Sequence, residues 1–120
     1  MTDNATIIRD CYTAFAAGDL EPLRAALLPD FIEHSPDNPS GRDEWLAFMA
    51  TFPIADAAVD LRRVIADDEH VVVHYHLLRR GDERGEAVVD IWRMVDGRIA
   101  EHWDVAQEVP GKAANDNGMF

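Results

Sequence analysis

The first half of the chain repeats apolar residues at every third or fourth position, which is the period of an amphipathic helix. The apolar stripe of the first predicted helix consists of Ile8, Cys11, Tyr12 and Phe15. Asp3 or Asn4 is expected to cap the start of this helix, and Gly18 is expected to end it. Cys11 is the single cysteine of the chain and is predicted to be a buried, inert thiol within that stripe.

Two more helices are predicted before the middle of the chain. In the second, Asp19 is the expected cap, Pro22 fits the first turn and Pro29 stops the helix. Its inward-facing residues are expected to be Leu23, Leu27 and Leu28. The third helix is expected to begin after Ser40, because Ser40-Gly41-Arg42-Asp43 resembles a capping box, and Pro53 marks its end. Its apolar surface is expected to consist of Trp45, Leu46, Phe48, Met49 and Phe52.

The apolar period changes to two in the second half of the chain, which indicates β-strands. The strand candidates are residues 59–66, 71–79, 87–95 and 98–107. The last two are joined by Asp96-Gly97, a dipeptide suited to the positive φ angles of a tight hairpin. Short connections imply antiparallel neighbours. The pattern therefore predicts an α+β fold in which three helices pack on one face of a curved antiparallel sheet.

The length and composition indicate one globular domain, residues 1–120, with a core at about 4–110 and a polar tail at 111–120. A formal net charge of −12 opposes binding to nucleic acid and to anionic membrane surfaces, since both require basic patches. No apolar run reaches the length of a membrane span, and the first residues do not resemble a signal peptide. The expected location is therefore the cytoplasm.

One face of the last predicted hairpin carries the residue types of a reactive pocket. Because alternate residues of a strand share a face, Asp90 and Trp92 of one strand can lie beside His102 and Asp104 of the next. Acids and a histidine between apolar neighbours are costly in a filled core and useful in a cavity. This face predicts a site for a small molecule.

Other histidines and aromatic residues extend this predicted site. His74 and His76 share one face of their strand and are expected to meet the face of Asp90 and Trp92, with register left open. His34 lies in the segment 31–39, which starts extended and becomes a proline-rich loop, so it is a candidate for the pocket mouth. The aromatic residues expected to line the cavity are Tyr12, Phe15, Trp45, Phe48 and Trp92.

Three interpretations of the polar cluster remain open at the level of the residues. A carboxylate in apolar surroundings has a raised pKa and can take a carbon-bound proton, while nearby donors stabilise the developing oxyanion. His74-x-His76 with a carboxylate is a plausible but weak set of metal ligands. The histidines and acids can also pair with one another or face solvent on an open sheet.

Several short motifs resemble the SnoaL-like polyketide cyclases of the nuclear transport factor 2-like superfamily, also called cystatin-like. These motifs are Tyr12-Thr13-Ala14-Phe15 with Gly18-Asp19, then Phe31-Ile32-Glu33-His34-Ser35-Pro36 with Gly41, and finally Asp90-Ile91-Trp92-Arg93 with the segment from Asp96 to Val105. The superfamily includes ketosteroid isomerase, scytalone dehydratase and limonene epoxide hydrolase, so the resemblance is specific for the fold and uninformative about the substrate.

The resemblance implies a cone-shaped α+β barrel that is often a homodimer and uses neither a metal nor an organic cofactor. Asp104 matches the family's general acid/base on the final strand, and Asp90 stands where the cyclases have a histidine. His34 and His102 are then expected to orient the base or to bind the oxyanion. The expected function is aldol cyclisation, isomerisation or dehydration of a small carbonyl compound. A non-catalytic binding protein is the alternative, and a metal-dependent enzyme is third.

Overall fold

The computed structural model describes residues 3–52 and 57–120. They form three helices and a five-stranded sheet, and the third helix lies between the first and second strands in the chain. The helices are α1 (Asn4–Ala16), α2 (Glu21–Ala26) and α3 (Arg42–Met49). The strands are β1 (Leu27–Glu33), β2 (Ala58–Ala66), β3 (His70–Leu78), β4 (Glu86–Val95) and β5 (Arg98–Glu108).

The sheet has the strand order β1-β5-β4-β3-β2, and its neighbours are antiparallel except for β1, which runs parallel to β5. Strands β2 to β5 correspond to the four predicted from the alternating pattern. The predicted α+β architecture, with helices packed on a strongly curved sheet, is confirmed. Among the described helices, none combines the length and the apolar character that crossing a bilayer would demand.

Two features of the β4–β5 hairpin decide which side chains face the helices. Asp96 and Gly97 have φ angles of 50° and 76°, so the predicted tight turn is confirmed. Further along, Arg93 pairs with Glu101 whereas Met94 pairs with Ile99, which leaves Ala100 as an extra residue in β5. Because this bulge shifts the alternation by one residue, the buried side chains change from odd to even positions along β5. The bulge is thus what turns the even-numbered polar residues of β5 inward.

The second helix is shorter than the sequence predicts. It ends at Ala26, and Leu27 already pairs with Ile99 in β1, where it has no exposed surface. The pairing skips several residues of β1 between Leu27 and Ile32, and Pro29, which lacks an N–H group, falls in this irregular part. The expectation that Leu27 and Leu28 belong to the helix is wrong, because both lie in β1, where Leu27 is fully buried and pairs with β5.

The start of the third helix also differs from the prediction. Gly41 is its N-cap, with φ of 98°, and makes no side-chain cap. The Ser40 hydroxyl instead accepts a hydrogen bond from the backbone N–H of Glu33 at 3.0 Å. The helix ends at Met49, before Phe52, and Pro53 lies outside the described residues. By contrast, Asp3 caps α1 as predicted, accepting from the N–H of Thr6 at 2.8 Å.

The core lies between the three helices and the inner face of the sheet. Its largest fully buried side chains are Phe31, Ile8, Leu27, Ile99, Val71 and Val73. Phe31 packs edge-on against Trp45 of α3, with ring centroids 5.7 Å apart. Edge-to-face aromatic pairs add to the stabilisation from burial alone, so this contact ties α3 to the sheet.

Replacing Phe31 with alanine is expected to lower the free energy of unfolding by about 3–5 kcal/mol, because it removes a fully buried ring. Urea denaturation followed by circular dichroism measures the loss. The neighbouring variant Ile32→Ala is the matched control, since Ile32 is 44% exposed on the opposite face, and it should cost less than about 1 kcal/mol. Equal losses in the two variants would contradict the assignment of faces in β1.

Candidate active site

The polar residues predicted on β4 and β5 face each other across the two strands. Asp90 lies directly opposite Asp104, and Trp92 lies directly opposite His102. All four contribute to the wall of a cavity of about 860 Å³ between the helices and the inner face of the sheet. Such a volume is typical of small-molecule sites. The alternating pattern therefore identified a face that does line a cavity.

Aromatic side chains form much of the cavity wall. Tyr12 and Phe15 of α1 and Trp45 of α3 line it, as the sequence predicts. Phe48 is not among the described lining residues, since it packs against the core and against Phe52, with ring centroids 5.1 Å apart. The expectation that Phe48 lines the pocket is therefore not supported.

A chain of hydrogen bonds runs from the cavity wall through His102 to a buried carboxylate behind it. His102 Nδ1 lies 2.7 Å from Glu33 Oε1, and His102 Nε2 lies 3.1 Å from Asp90 Oδ1. All three side chains are almost completely buried. The ring of His102 also stacks on Trp92, with centroids 3.9 Å apart. The imidazole is thus held by a carboxylate at each nitrogen and by an aromatic face.

This arrangement favours the charged form of His102. Burial by itself would lower the pKa of the imidazole, but the hydrogen bonds to Asp90 and Glu33 outweigh it and raise the pKa of His102 to about 9. Burial likewise opposes ionisation of Glu33, yet its hydrogen bonds, led by that from His102, bring its pKa below the ordinary value. At neutral pH the pair is an imidazolium and a carboxylate, with both ring nitrogens acting as donors.

Asp90 accepts a further hydrogen bond, which is itself supported by a second donor. The hydroxyl of Tyr12 donates to Asp90 Oδ2, and Trp92 Nε1 donates to the Tyr12 hydroxyl at 3.1 Å. Tyr75 of β3 lines the cavity together with Asp90. Burial raises the pKa of both tyrosines well above the ordinary value, so they remain neutral donors. With both oxygens occupied, Asp90 is a fixed acceptor.

Asp104 lines the cavity opposite Asp90 and is only partly buried. Burial raises its pKa, and the negative charges of Asp90 and Glu33 act in the same direction. A hydrogen bond with Ser35 and the positive charge of His102 oppose the shift without cancelling it. A carboxylate with a raised pKa beside an apolar cavity is suited to accept and return a proton.

The donor chemistry of this cluster does not match a metal site. Ligand atoms of Asp90, His102 and Asp104 lie within 4.8 Å of one another. A metal ligand, however, must be a neutral imidazole with a free lone pair, whereas both nitrogens of His102 are held by carboxylates as donors. The other ligand pair that the sequence suggested, His74 and His76, lies on the opposite face of the sheet.

The expected meeting of His74 and His76 with the Asp90 face is wrong. Val73 of β3 pairs with Asp90, whereas His74 pairs with Val89 and His76 with Ala87, so the two histidines point to the outer face. They stack there on Phe120, the last residue, with ring centroids 5.6 and 4.4 Å apart. The apolar side chains on the other face of β3 gain more from burial than two imidazoles would, and this decides the orientation.

His34 also lies outside the pocket. Its ring is exposed, stacks in parallel on Trp103 at 5.0 Å and bonds to Glu101 on the outer face of β5. Glu101 also binds Arg93 at 2.8 Å. Because neighbouring residues of a strand point to opposite faces, the inward position belongs to Glu33 and not to His34. The prediction of His34 at the pocket mouth is wrong for this reason.

Sequence reasoning missed Glu33, Ser35 and Tyr75. The sequence gives one signal for Glu33, namely a charged residue two positions after the buried Phe31 and therefore on the same strand face. Its partner His102 is 69 residues away, and the parallel pairing of β1 with β5 that joins them leaves no local pattern. Tyr75 shares a strand face with the buried Val71 and Val73, and this is the face of β3 that turns inward.

The fold and the pocket define a small α+β protein of the cone-shaped type. A family model described as a SnoaL-like domain matches residues 8–102, and the chain belongs to this family. The expected resemblance is therefore confirmed. No curated protein matches the chain significantly in sequence.

Solved structures with the same fold include proteins of different function. A steroid delta-isomerase from Pseudomonas aeruginosa is 23% identical with a TM-score of 0.70, covering 89% of this chain and 82% of that one. A loop-truncation variant of IdmH is 27% identical with a TM-score of 0.69, covering 87% and 92%. A nuclear-transport-factor-2-like protein of unknown function from Burkholderia xenovorans LB400 is 20% identical with a TM-score of 0.79, covering 92% and 86%.

The raised pKa of His102 makes stability depend on pH. The imidazole has a pKa near 6.5 when unperturbed and about 9 in the fold. Its contribution to the stability of the folded state is therefore complete below pH 6.5 and is lost as the pH rises through about 9. We expect the free energy of unfolding to fall by up to about 3 kcal/mol across this interval, measured by urea denaturation. His34→Gln, on the exposed face, should keep this slope. A flat profile in the wild-type protein would show that His102 is not held as a cation.

Proposed function

We propose that this protein is a cofactor-independent acid/base enzyme that acts on a small carbonyl compound by aldol cyclisation, isomerisation or dehydration. The observation that carries the proposal is the position of Asp104, a carboxyl group with a raised pKa at the wall of a largely apolar cavity. A base of this kind can remove a proton next to a carbonyl group near neutral pH.

In this proposal each polar group of the pocket has a separate role. Asp104 takes the proton and returns it at a second atom of the substrate or to the leaving hydroxyl group. As negative charge moves from Asp104 to the substrate oxygen, the fixed imidazolium of His102 stabilises it without reorganising. Tyr12 donates its hydroxyl proton to Asp90, which keeps that carboxylate fixed beside His102. Neither a metal ion nor an organic cofactor is required by this chemistry.

The similar structures support the reaction class and leave the reaction open. One of them is named a steroid delta-isomerase, and IdmH is described as a candidate polyketide cyclase from Streptomyces antibioticus. Both names denote proton transfers around a carbonyl group, which is the chemistry that Asp104 suits. The homodimer that the resemblance implies and the cytoplasmic location that composition implies remain predictions.

The proposal is tested with nitrobenzisoxazole, an aromatic probe whose carbon-bound proton is lost to a base while its N–O bond breaks and releases a coloured nitrophenolate. Asp104→Asn should lower the catalysed rate at least about 100-fold, because the base is removed from an intact pocket. In the wild-type protein the rate should rise with pH, with a midpoint above 3.8, the ordinary pKa of an aspartate. Absorbance measures the product.

Asp60→Asn is the matched control, since Asp60 is an exposed carboxylate of β2 paired with Arg62 at 2.9 Å, and this variant should keep the wild-type rate. An undiminished rate in Asp104→Asn would contradict the assignment of the base. If the probe quenches the fluorescence of the pocket tryptophans but the wild-type protein never converts it, the non-catalytic alternative is supported and the enzymatic one fails.

A further inference from the structure

Glu33 is the most heavily hydrogen-bonded side chain near the pocket, although it is not among the described residues that line the cavity. Its side chain has no exposed surface. Five N–H groups converge on its two oxygens: His102 Nδ1 at 2.7 Å, the backbone of His34 at 3.0 Å and of Ser35 at 3.1 Å, Asn38 Nδ2 at 3.2 Å and Trp45 Nε1 at 2.7 Å. So many donors indicate a carboxylate that organises its surroundings.

Four of these five donors fix the chain that follows β1. The backbone groups of His34 and Ser35 and the side chain of Asn38 belong to the loop between β1 and α3, and Trp45 anchors α3 to the same carboxylate. Ser35 is buried, lines the same cavity as Asp104, and its side chain lowers the pKa of that carboxyl group. The Glu33 carboxylate therefore holds the loop that brings Ser35 to the same cavity wall as the proposed base.

The fifth donor connects Glu33 to the charge of the site. His102 is faced by Glu33 from β1, Asp90 from β4 and Asp104 on its own strand, with the hydroxyls of Tyr12 and Tyr75 beyond Asp90. Glu33 occupies Nδ1, so the Nε2–H is directed at Asp90 and the ring plane lies flat on the neighbouring tryptophan. Without a carboxylate at Nδ1, nothing on that side would hold a second proton on the ring.

We propose that Glu33 is a positioning residue of the pocket, which fixes the charge and ring orientation of His102 together with the Ser35 loop and through both of them places the Asp104 carboxylate. Its carboxylate does not contact the bound molecule. The effect of this residue on turnover rests on the function proposed above, whereas its effect on His102 does not.

The isosteric variant Glu33→Gln separates charge from shape. A glutamine offers one acceptor oxygen and one NH₂ group, so one side of the former carboxylate would present a donor to donors. One oxygen of Glu33 accepts from Trp45 and Asn38, and the other accepts from His102. Glutamine keeps an acceptor oxygen at only one of these two positions. The variant must give up either the anchoring of the loop and α3 or the hydrogen bond to the imidazole.

Glu101→Gln is a closely matched control. Glu101 is also a carboxylate bonded to a histidine, with His34 Nε2 at 2.5 Å, and it lies on the outer face of the same pair of strands. If the Glu33–His102 pair matters because it is buried and connected to the pocket, removing the charge of Glu101 should change neither the pKa of His102 nor the turnover rate.

The first experiment follows the ring signals of His102 by NMR between pH 5 and pH 10 in the wild-type protein, Glu33→Gln and Glu101→Gln. We expect the midpoint of about 9 in the wild-type protein and in Glu101→Gln. In Glu33→Gln the proton affinity should fall at least tenfold. An unchanged midpoint in Glu33→Gln would overturn the proposal, whatever the enzymatic activity of the protein.

The second experiment measures kcat and KM for the nitrobenzisoxazole probe. Glu33→Gln should lower kcat at least tenfold while KM changes less than threefold, because the cavity walls remain and only the base and its neighbours move. A rise in KM with an unchanged kcat in Glu33→Gln would overturn a positioning role. If Asp104→Asn shows that the wild-type rate does not depend on Asp104, the proposed function fails and the NMR result still decides the role of Glu33.

Ser35→Ala tests the loop should Glu33→Gln fail to fold. The Ser35 side chain lowers the pKa of Asp104, so its removal should move the midpoint of the pH–rate profile upward. A purely structural role for the loop would lower stability and leave this midpoint in place. An unmoved midpoint would overturn the part of the proposal that runs through the loop.

Discussion

A protonated histidine held between two buried carboxylates is the interaction on which the pocket depends. Removing three charged groups from water is costly, and the cost is tolerated only when every lone pair and proton has a partner. Here Glu33 and Asp90 take both N–H groups of His102, and tyrosine and tryptophan donors take the remaining positions on the carboxylates. Across residues 3–52 and 57–120, no buried side-chain nitrogen or oxygen atom lacks a hydrogen-bond partner.

This network also explains why the two aspartates that face each other differ in their chemistry. Asp90 is buried and accepts from His102 and Tyr12, whereas Asp104 is only partly buried at the cavity wall. Environment thus separates two identical side chains into a structural acceptor and a candidate base. The same contrast appears across the sheet, where Glu101 and His34 form a similar pair that solvent screens.

Much of the fold follows from local patterns in the sequence. The cap at Asp3, the turn at Asp96-Gly97 and the alternation of β4 and β5 act over a few residues, so they can be predicted. The prediction fails where a distant partner competes with a local preference. Leu27 leaves its helical pattern to pair with Ile99, and the Ser40 hydroxyl binds the backbone of β1 instead of capping α3.

The sequence by itself determined which residues share a face: Asp90 with Trp92, His102 with Asp104, and His74 with His76. A period of two allows no other result within one strand. Only the tertiary structure decided which of these faces is buried, since the bulge at Ala100 sets the phase of β5 and the apolar side of β3 turns its histidines outward. It also brought Glu33 to His102, because parallel pairing of β1 with β5 joins segments far apart in the chain.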